Sequence, residues 1–261
     1  MIANESSGLR GAAFFDLDRT LIAGASTFAF GMAAFRHGLI PTRELLADAR
    51  QAVVFRMTGG SDDQSDMVRD RILAAVAGRH QADTLSLNDD VLPQLLTSVR
   101  PETRQAVDNH REAGRDTWIV SASPVEIVRP LAEALGMTGA VATESEVVDG
   151  VYTGRLAKAF VYGDGKVERI RDLAEERGYD LRLSYAYSDS SSDLPMLRAV
   201  GHPVAVNPDR DLLRTARHEH WPVVRFARRT KRWATVATSV VGGVVLTGGA
   251  YALGRRHGGS R

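Results

Sequence analysis

The stretch FFDLDRTLIAG, Phe14 to Gly24, runs two aromatic residues straight into Asp16-Leu17-Asp18, and a threonine and a second apolar pair follow. With Ala12 and Ala13 ahead of it, the continuous apolar run reads as a short, fully buried strand, Ala12 to Leu17. Two carboxylates at the end of such a strand need a reason. A buried charge is costly unless it is paired or bound to a cation. Either these aspartates stand at a strand end open to water, or something positive sits between them.

Outward from this stretch the pattern changes twice. From about Ser26 to Leu96, apolar residues recur at three- and four-residue spacing, as in FAFGMAAFRHGL, RELLADARQAVVFRM, QSDMVRDRILAAVAG and DDVLPQLLTSV, which predicts a compact helical unit. Beyond it, a helix over 101–114, the strand TWIVSAS and the helix SPVEIVRPLAEALG are predicted. A hairpin around Asp149-Gly150 follows, then a helix over 167–177, the strand LRLSYAYSD, a short helix after Asp193 and the strand PVAVN. Strands alternating with helices imply an α/β fold with a mainly parallel sheet covered on both faces. The helical unit interrupts that alternation after the first strand.

Composition adds bounds. The chain has 261 residues, 44% hydrophobic and 25% charged, ordinary values for a globular protein. A net charge of +1 shows none of the basic excess of a nucleic-acid binder. No cysteine is present, so thiol catalysis, disulfides and Cys-ligated metals are excluded. Three lysines, Lys158, Lys166 and Lys231, stand against thirty arginines, which makes a lysine in a special place informative.

Four segments finish strands or open helices with chemistry. Asp16, Asp18 and Thr20 end the first strand; Ser121 ends WIVSAS; Asp189 and Asp193 close SYAYSDSSSD; Lys166 lies at a helix start in GDGKVERI. Ligands of open parallel sheets bind outside the carboxyl ends of the strands. The chemistry that uses this set is phosphoryl transfer. Asp16 is the candidate nucleophile, and Asp18 can protonate a leaving oxygen and then activate water. Asp16 and Asp189 suit a hard divalent cation, magnesium (Mg2+). Ser121 can donate to a phosphate oxygen and Lys166 supplies a point charge. A lysine at a helix start opposes the macrodipole, so a purely structural role is disfavoured there. Asp193, taken alone, reads as the N-cap of the helix LPML.

The set resembles the haloacid dehalogenase superfamily of phosphohydrolases, in the subfamily IB branch that contains the phosphoserine phosphatases. DLDRT matches its Asp-x-Asp-x-Thr motif, Ser121 its serine, Lys166 its lysine, and Asp189 with Asp193 its acidic pair. The resemblance covers roughly residues 12–224. It implies a Rossmann-like core over 10–24 and 97–226, a helical C1 cap over 25–96 and an aspartyl-phosphate intermediate. It further implies catalysis by Asp16, Asp18 and Lys166, magnesium on Asp16, Asp18 (through its carbonyl), Asp189 and Asp193, and phosphate contacts from Thr20, Ser121 and Ala122. A cap arginine would meet a substrate carboxylate, with Arg69 the choice and Arg71 its rival.

Three positions depart from the pattern. Ala25 stands nine residues after the nucleophile, where the branch carries a glutamate for the substrate ammonium group. Ala122-Ser123-Pro124 replaces Gly-Gly after the serine, and Ser192 replaces an asparagine. A small or membrane-proximal phosphate monoester is therefore expected as substrate, with phosphoserine phosphatase or a phosphotransferase as alternatives. A receiver-like switch fits less well, because about 100 residues separate the first acids from Ser121. A non-catalytic membrane-held protein has no reason to keep costly charges together.

The last 35 residues differ in character. Arg228, Arg229, Lys231 and Arg232 precede Ala234 to Leu253, twenty residues without a charge, and Arg255 and Arg256 follow. That length and its flanks predict a C-terminal apolar helix (227–261) that tethers a cytoplasmic catalytic domain to a membrane.

Overall fold

The computed structural model describes residues 10–38, 69–70 and 73–226. Its centre is β1 (Ala12–Asp16), every residue of which is buried. On one side β1 pairs with β2 (Asp116–Pro124), in a register that sets Phe14 beside Trp118 and Asp16 beside Val120. On the other it pairs with β6 (Tyr185–Ser188). With β3 (Gly139–Thr143), β7 (His202–Val206) and β8 (Val223–Val224), these make a six-stranded sheet in the order β3-β2-β1-β6-β7-β8. All of its pairings are parallel.

The continuous apolar run of β1 has a direct cause. Side chains alternate across a strand, and both faces of this sheet are covered. Ala13 and Phe15 join one apolar cluster with Ile119, under α1 (Ser26–Arg36), α3 (Asn88–Ser98), α4 (Pro101–Glu112) and α5 (Val125–Ala134). Ala12 and Phe14 join the other with Trp118, Val120 and Ala186, under α6 (Asp164–Arg177), α7 (Leu194–Ala199) and α8 (Arg210–His218). Of the insert expected over 25–96, α1, α2 (Gln81–Ser86), α3 and a helical turn over 73–76 are described. Ala29, Ala33, Leu87, Val91 and Leu95 from α1, α3 and the residue before α3 share the first cluster with the sheet. The predicted helix at 43–57 lies outside the described residues, as do 64–68 and 71–72 of the helix predicted over 64–78; residues 69–70 and 73–76 of it are helical.

The chain order places the site. From β1 the chain reaches β2 and then β3 on one side, and it returns to fill β6, β7 and β8 on the other. The direction of winding therefore reverses between β1 and β6, and a crevice opens there at the carboxyl ends of the strands.

The Asp149-Gly150 hairpin forms as expected: β4 (Ser145–Val148) and β5 (Val151–Leu156) are antiparallel, with Val148 opposite Val151. Both loop residues have positive φ, 51° and 78°, as the two-residue turn requires. The strand expected over LRLSYAYSD is shorter. Leu181–Leu183 is a tight turn instead, because the Asp180 carboxylate accepts from the Arg182 N–H and diverts the backbone from the sheet. Among the described residues no helix is long and apolar enough to cross a membrane. The stretch Ala234 to Leu253, expected to do so, lies outside them.

Candidate active site

The site grows from the end of β1. After Asp16 the chain leaves the sheet in one wide turn, Leu17–Leu21, in which Asp18 is extended (φ −75°, ψ 124°) and Arg19 is left-handed (φ 64°). A bond from Arg19 N–H to the Gly24 carbonyl, 3.0 Å, closes the loop. This departure from strand geometry keeps Asp18 on the side of the crevice, where a regular strand would turn it away.

Lys166 comes from the opposite side. It lies in the first turn of α6 and is only 3% exposed. The preceding Gly165 is required by contact: a Cβ there would press into the Phe160 carbonyl, so only glycine lets the loop close onto the helix start. The Lys166 ammonium donates to Asp16 Oδ1 at 2.6 Å and to Asp193 Oδ2 at 2.8 Å. Ser188 Oγ also donates to Asp193 Oδ2, at 2.6 Å. Asp193 occupies the N-cap position of α7, but its side chain makes no cap bond. It serves the lysine instead, and its Oδ1 is buried with no hydrogen-bond partner.

Asp189 follows β6. Its Oδ2 meets Arg19 Nε at 2.9 Å, and the Thr20 hydroxyl points at its Oδ1 from 3.5 Å. Its carbonyl accepts from the Asp209 N–H at 2.8 Å, and the Asp209 carboxylate holds the Ser191 N–H (2.7 Å) while capping α8 through Asp211 and Leu212. Asp209 thus anchors the loop that carries both acids. The signal for it in the sequence was an aspartate opening the helix RDLL.

On the β2 side, Ser121 is buried and its Oγ accepts from the Ser123 N–H at 3.1 Å. The Ser123 hydroxyl is 2.7 Å from that of Ser26, and the Ser26 N–H donates to Asp18 Oδ1 at 2.6 Å. Ala122 is partly buried between the two serines. Asp16, Asp18, Thr20, Ser121, Lys166, Asp189 and Asp193 therefore come together around one crevice. Arg69 forms its ion pair with Asp70 of its own turn, at 2.8 Å. His218 and His220 are exposed.

The electrostatics are those of a crowded acid cluster. Burial pushes the Asp16 carboxyl up to about 8, against the pull of Lys166 and with Asp193 and Asp189 adding to the rise. Burial also raises Asp18, opposed by its bonds to Ser26, and raises Asp189 to about 6, opposed by Arg19. Burial by itself would lower Lys166; the Asp16 and Asp193 carboxylates override it and hold the ammonium above its ordinary range. Among the described residues four carboxylates face two cationic side chains, so the cluster as described is short of positive charge.

That shortage, the all-oxygen donor set and the orphaned Asp193 Oδ1 fit a hard divalent cation. No three acidic or histidine side chains among the described residues converge as a ready-made cage.

Comparison with known proteins identifies the family. The sequence model of the haloacid dehalogenase-like hydrolases matches residues 13–198. A Mycobacterium tuberculosis protein named "Probable phosphatase" is 43% identical over 95% of this chain and 90% of its own length. A phosphoserine phosphatase of the same species is 34% identical over 94% of this chain and 80% of its own. A histidinol-phosphatase of Neisseria meningitidis is 31% identical over 84% of this chain and all of its own. Among solved structures, a Bordetella pertussis protein of unknown function superposes with a TM-score of 0.72 at 27% identity, covering 83% of this chain and 99% of that one. A phosphoserine phosphatase captured as a phospho-aspartyl intermediate analogue shares the fold, with a TM-score of 0.60 at 17% identity over 85% of this chain and 95% of its own. The chain belongs to the haloacid dehalogenase-like hydrolase family, as an enzyme whose relatives carry the name phosphatase.

Proposed function

We propose that the protein hydrolyses small phosphate monoesters by passing the phosphoryl group through Asp16. The observation that carries this reading is the buried Lys166, shared between Asp16 and Asp193 at 2.6 and 2.8 Å. A purely structural role would not gather so many charges out of water around a single lysine.

In the first step the ionised form of Asp16, which the Lys166 ammonium at 2.6 Å favours against burial, attacks phosphorus through a carboxylate oxygen and the ester P–O bond breaks. Asp18, whose raised pKa favours the protonated form, gives its proton to the departing alkoxide. Ser121 and the Lys166 ammonium face the non-bridging oxygens, where charge accumulates. In the second step Asp18, now ionised, takes a proton from water as that water attacks the aspartyl-phosphate, and phosphate leaves. Magnesium held by Asp16, Asp189, the Asp18 carbonyl and Asp193 Oδ1 would supply charge neutralisation at the phosphate, while Asp193 Oδ2 holds Lys166. The helical insert over 25–96 is read as the cover that excludes bulk water, and Arg69 would have to leave its Asp70 pair to meet the rest of the substrate.

Phosphoserine is the second reading, favoured by the 34%-identical phosphoserine phosphatase. Ala25, at the N-cap of α1 and exposed, stands against it, because an alanine offers no carboxylate to an ammonium group. A panel of monoesters assayed with magnesium tests the function: phosphate release from at least one small monoester, abolished by Asp16→Asn, is expected. Activity that survives Asp16→Asn would refute the covalent route.

A further inference from the structure

We infer that Arg19 is the resident counter-cation of Asp189, and that a divalent cation must displace it to take that carboxylate. Lys166 is committed to Asp16 and Asp193, so among the described residues Arg19 is the cationic side chain in contact with Asp189. Its Nε stands 2.9 Å from Asp189 Oδ2, on a carboxylate whose side chain is 7% exposed. Among the described residues the other side-chain donor on Asp189 is the Thr20 hydroxyl, at a long 3.5 Å from Oδ1. The arginine is therefore the main partner of the acid.

The backbone points the same way. Arg19 adopts φ 64° without being glycine, a conformation that disfavours a long side chain. The loop fixes it there through the bond from its N–H to the Gly24 carbonyl, one residue beyond Asp18. From that position the side chain crosses from the end of β1 to the residue that follows β6. The Arg19 side chain is 49% exposed, so it can swing into water while the buried Asp189 stays in place.

A guanidinium and a divalent cation cannot share the same face of Asp189 Oδ2. Among the described residues Asp189 Oδ1 carries only the long Thr20 contact, yet a divalent charge on either oxygen of this one buried carboxylate repels the guanidinium, so cation binding displaces the Arg19 pair and the free energy of that pair is subtracted from cation affinity. Uptake of the cation would release an arginine at the mouth of the crevice. This inference rests on the reading of Asp189 as a cation ligand.

The test uses the full-length protein, stripped of metal by chelation and kept free of phosphate, with magnesium alone as the titrant. Calorimetry gives the affinity, and the Nε–H resonance of Arg19, assigned by its absence in Arg19→Gln, reports on the ion pair. The expected result is that the resonance shifts along the calorimetric saturation curve, and that Arg19→Gln binds magnesium roughly threefold to tenfold more tightly, the scale of a half-exposed pair. Arg19→Gln should also melt below the wild type without magnesium, and the gap should close at saturation. Arg19→Lys, which keeps the charge without the fork, should bind with intermediate affinity and covers the case in which the glutamine variant does not fold. A resonance that magnesium leaves unmoved, or variants that bind no more tightly than wild type, would overturn the inference while leaving the phosphatase reading intact. Wild-type protein that binds no magnesium would overturn both.

Discussion

Lys166 Nζ lies 2.6 Å from Asp16 Oδ1, although 150 positions of sequence separate the two residues. The same ammonium holds Asp193 at 2.8 Å, so one side chain from the start of α6 ties the end of β1 to the loop after β6. Lys166→Met would leave both buried carboxylates without their cation. We expect a loss of roughly 3–5 kcal/mol in stability near pH 7, since removing one partner of a buried pair strands the other. We also expect kcat to fall at least ~100-fold, the scale of losing one preorganised donor. Denaturant unfolding and steady-state kinetics measure both, and a variant with near wild-type kcat would show that Lys166 is structural only.

His110 gives a pH prediction away from the active site. Arg115 Nε donates to its Nδ1 at 2.7 Å, so the proton is on Nε2, which donates to the Tyr187 hydroxyl at 2.8 Å. Burial, with Arg115 adding to it, lowers the pKa of the imidazole to about 4 from 6.5. The unfolded chain therefore takes up this proton first as pH falls. The contribution to stability is intact above pH 6.5 and is lost progressively toward pH 4, by at most roughly 3 kcal/mol. His110→Gln should remove that slope. Stability measured at intervals from pH 7 to pH 4 checks it, and parallel wild-type and variant curves would refute it.

Substrate preference turns on Ala25. Phosphoserine should be hydrolysed less efficiently than a monoester without an ammonium group. Ala25→Glu should narrow the difference by roughly ten- to a hundredfold in kcat/KM, the value of one charge-assisted hydrogen bond. A wild-type enzyme that prefers phosphoserine over every other monoester would contradict this.

The sequence made the sheet legible where physics is local. An unbroken apolar run can be buried on both faces, and β1 is; Asp-Gly between strand residues accepts two positive φ angles, and the β4–β5 hairpin has them. The DLDRT motif, Ser121, Lys166, Asp189 and Asp193 could be picked out because charges at strand ends demand partners. What sequence reasoning missed depends on distant partners. Asp193 was picked out as an acid, but its hold on Lys166 could not be read from the chain, and Ser26 and Ser123 meet only because α1 returns over β2. Arg19 escaped notice because its reach to Asp189 follows from a left-handed backbone that no composition rule assigns to arginine. The Leu181–Leu183 turn was misread as strand because one side-chain bond from Asp180 outweighed β-propensity.

The central claim, phosphoryl transfer through Asp16, is tested most directly by trapping the intermediate. Asp18→Asn keeps the nucleophile but removes the group that activates water, so with magnesium and an activated aryl phosphate it should accumulate phosphoenzyme. Acid quenching and peptide mass spectrometry should then find one added phosphoryl group on the peptide containing Asp16, released by hydroxylamine and absent from the Asp16→Asn, Asp18→Asn double variant. A phosphoryl group found on Ser121 or any other residue, or persisting in that double variant, would contradict the account.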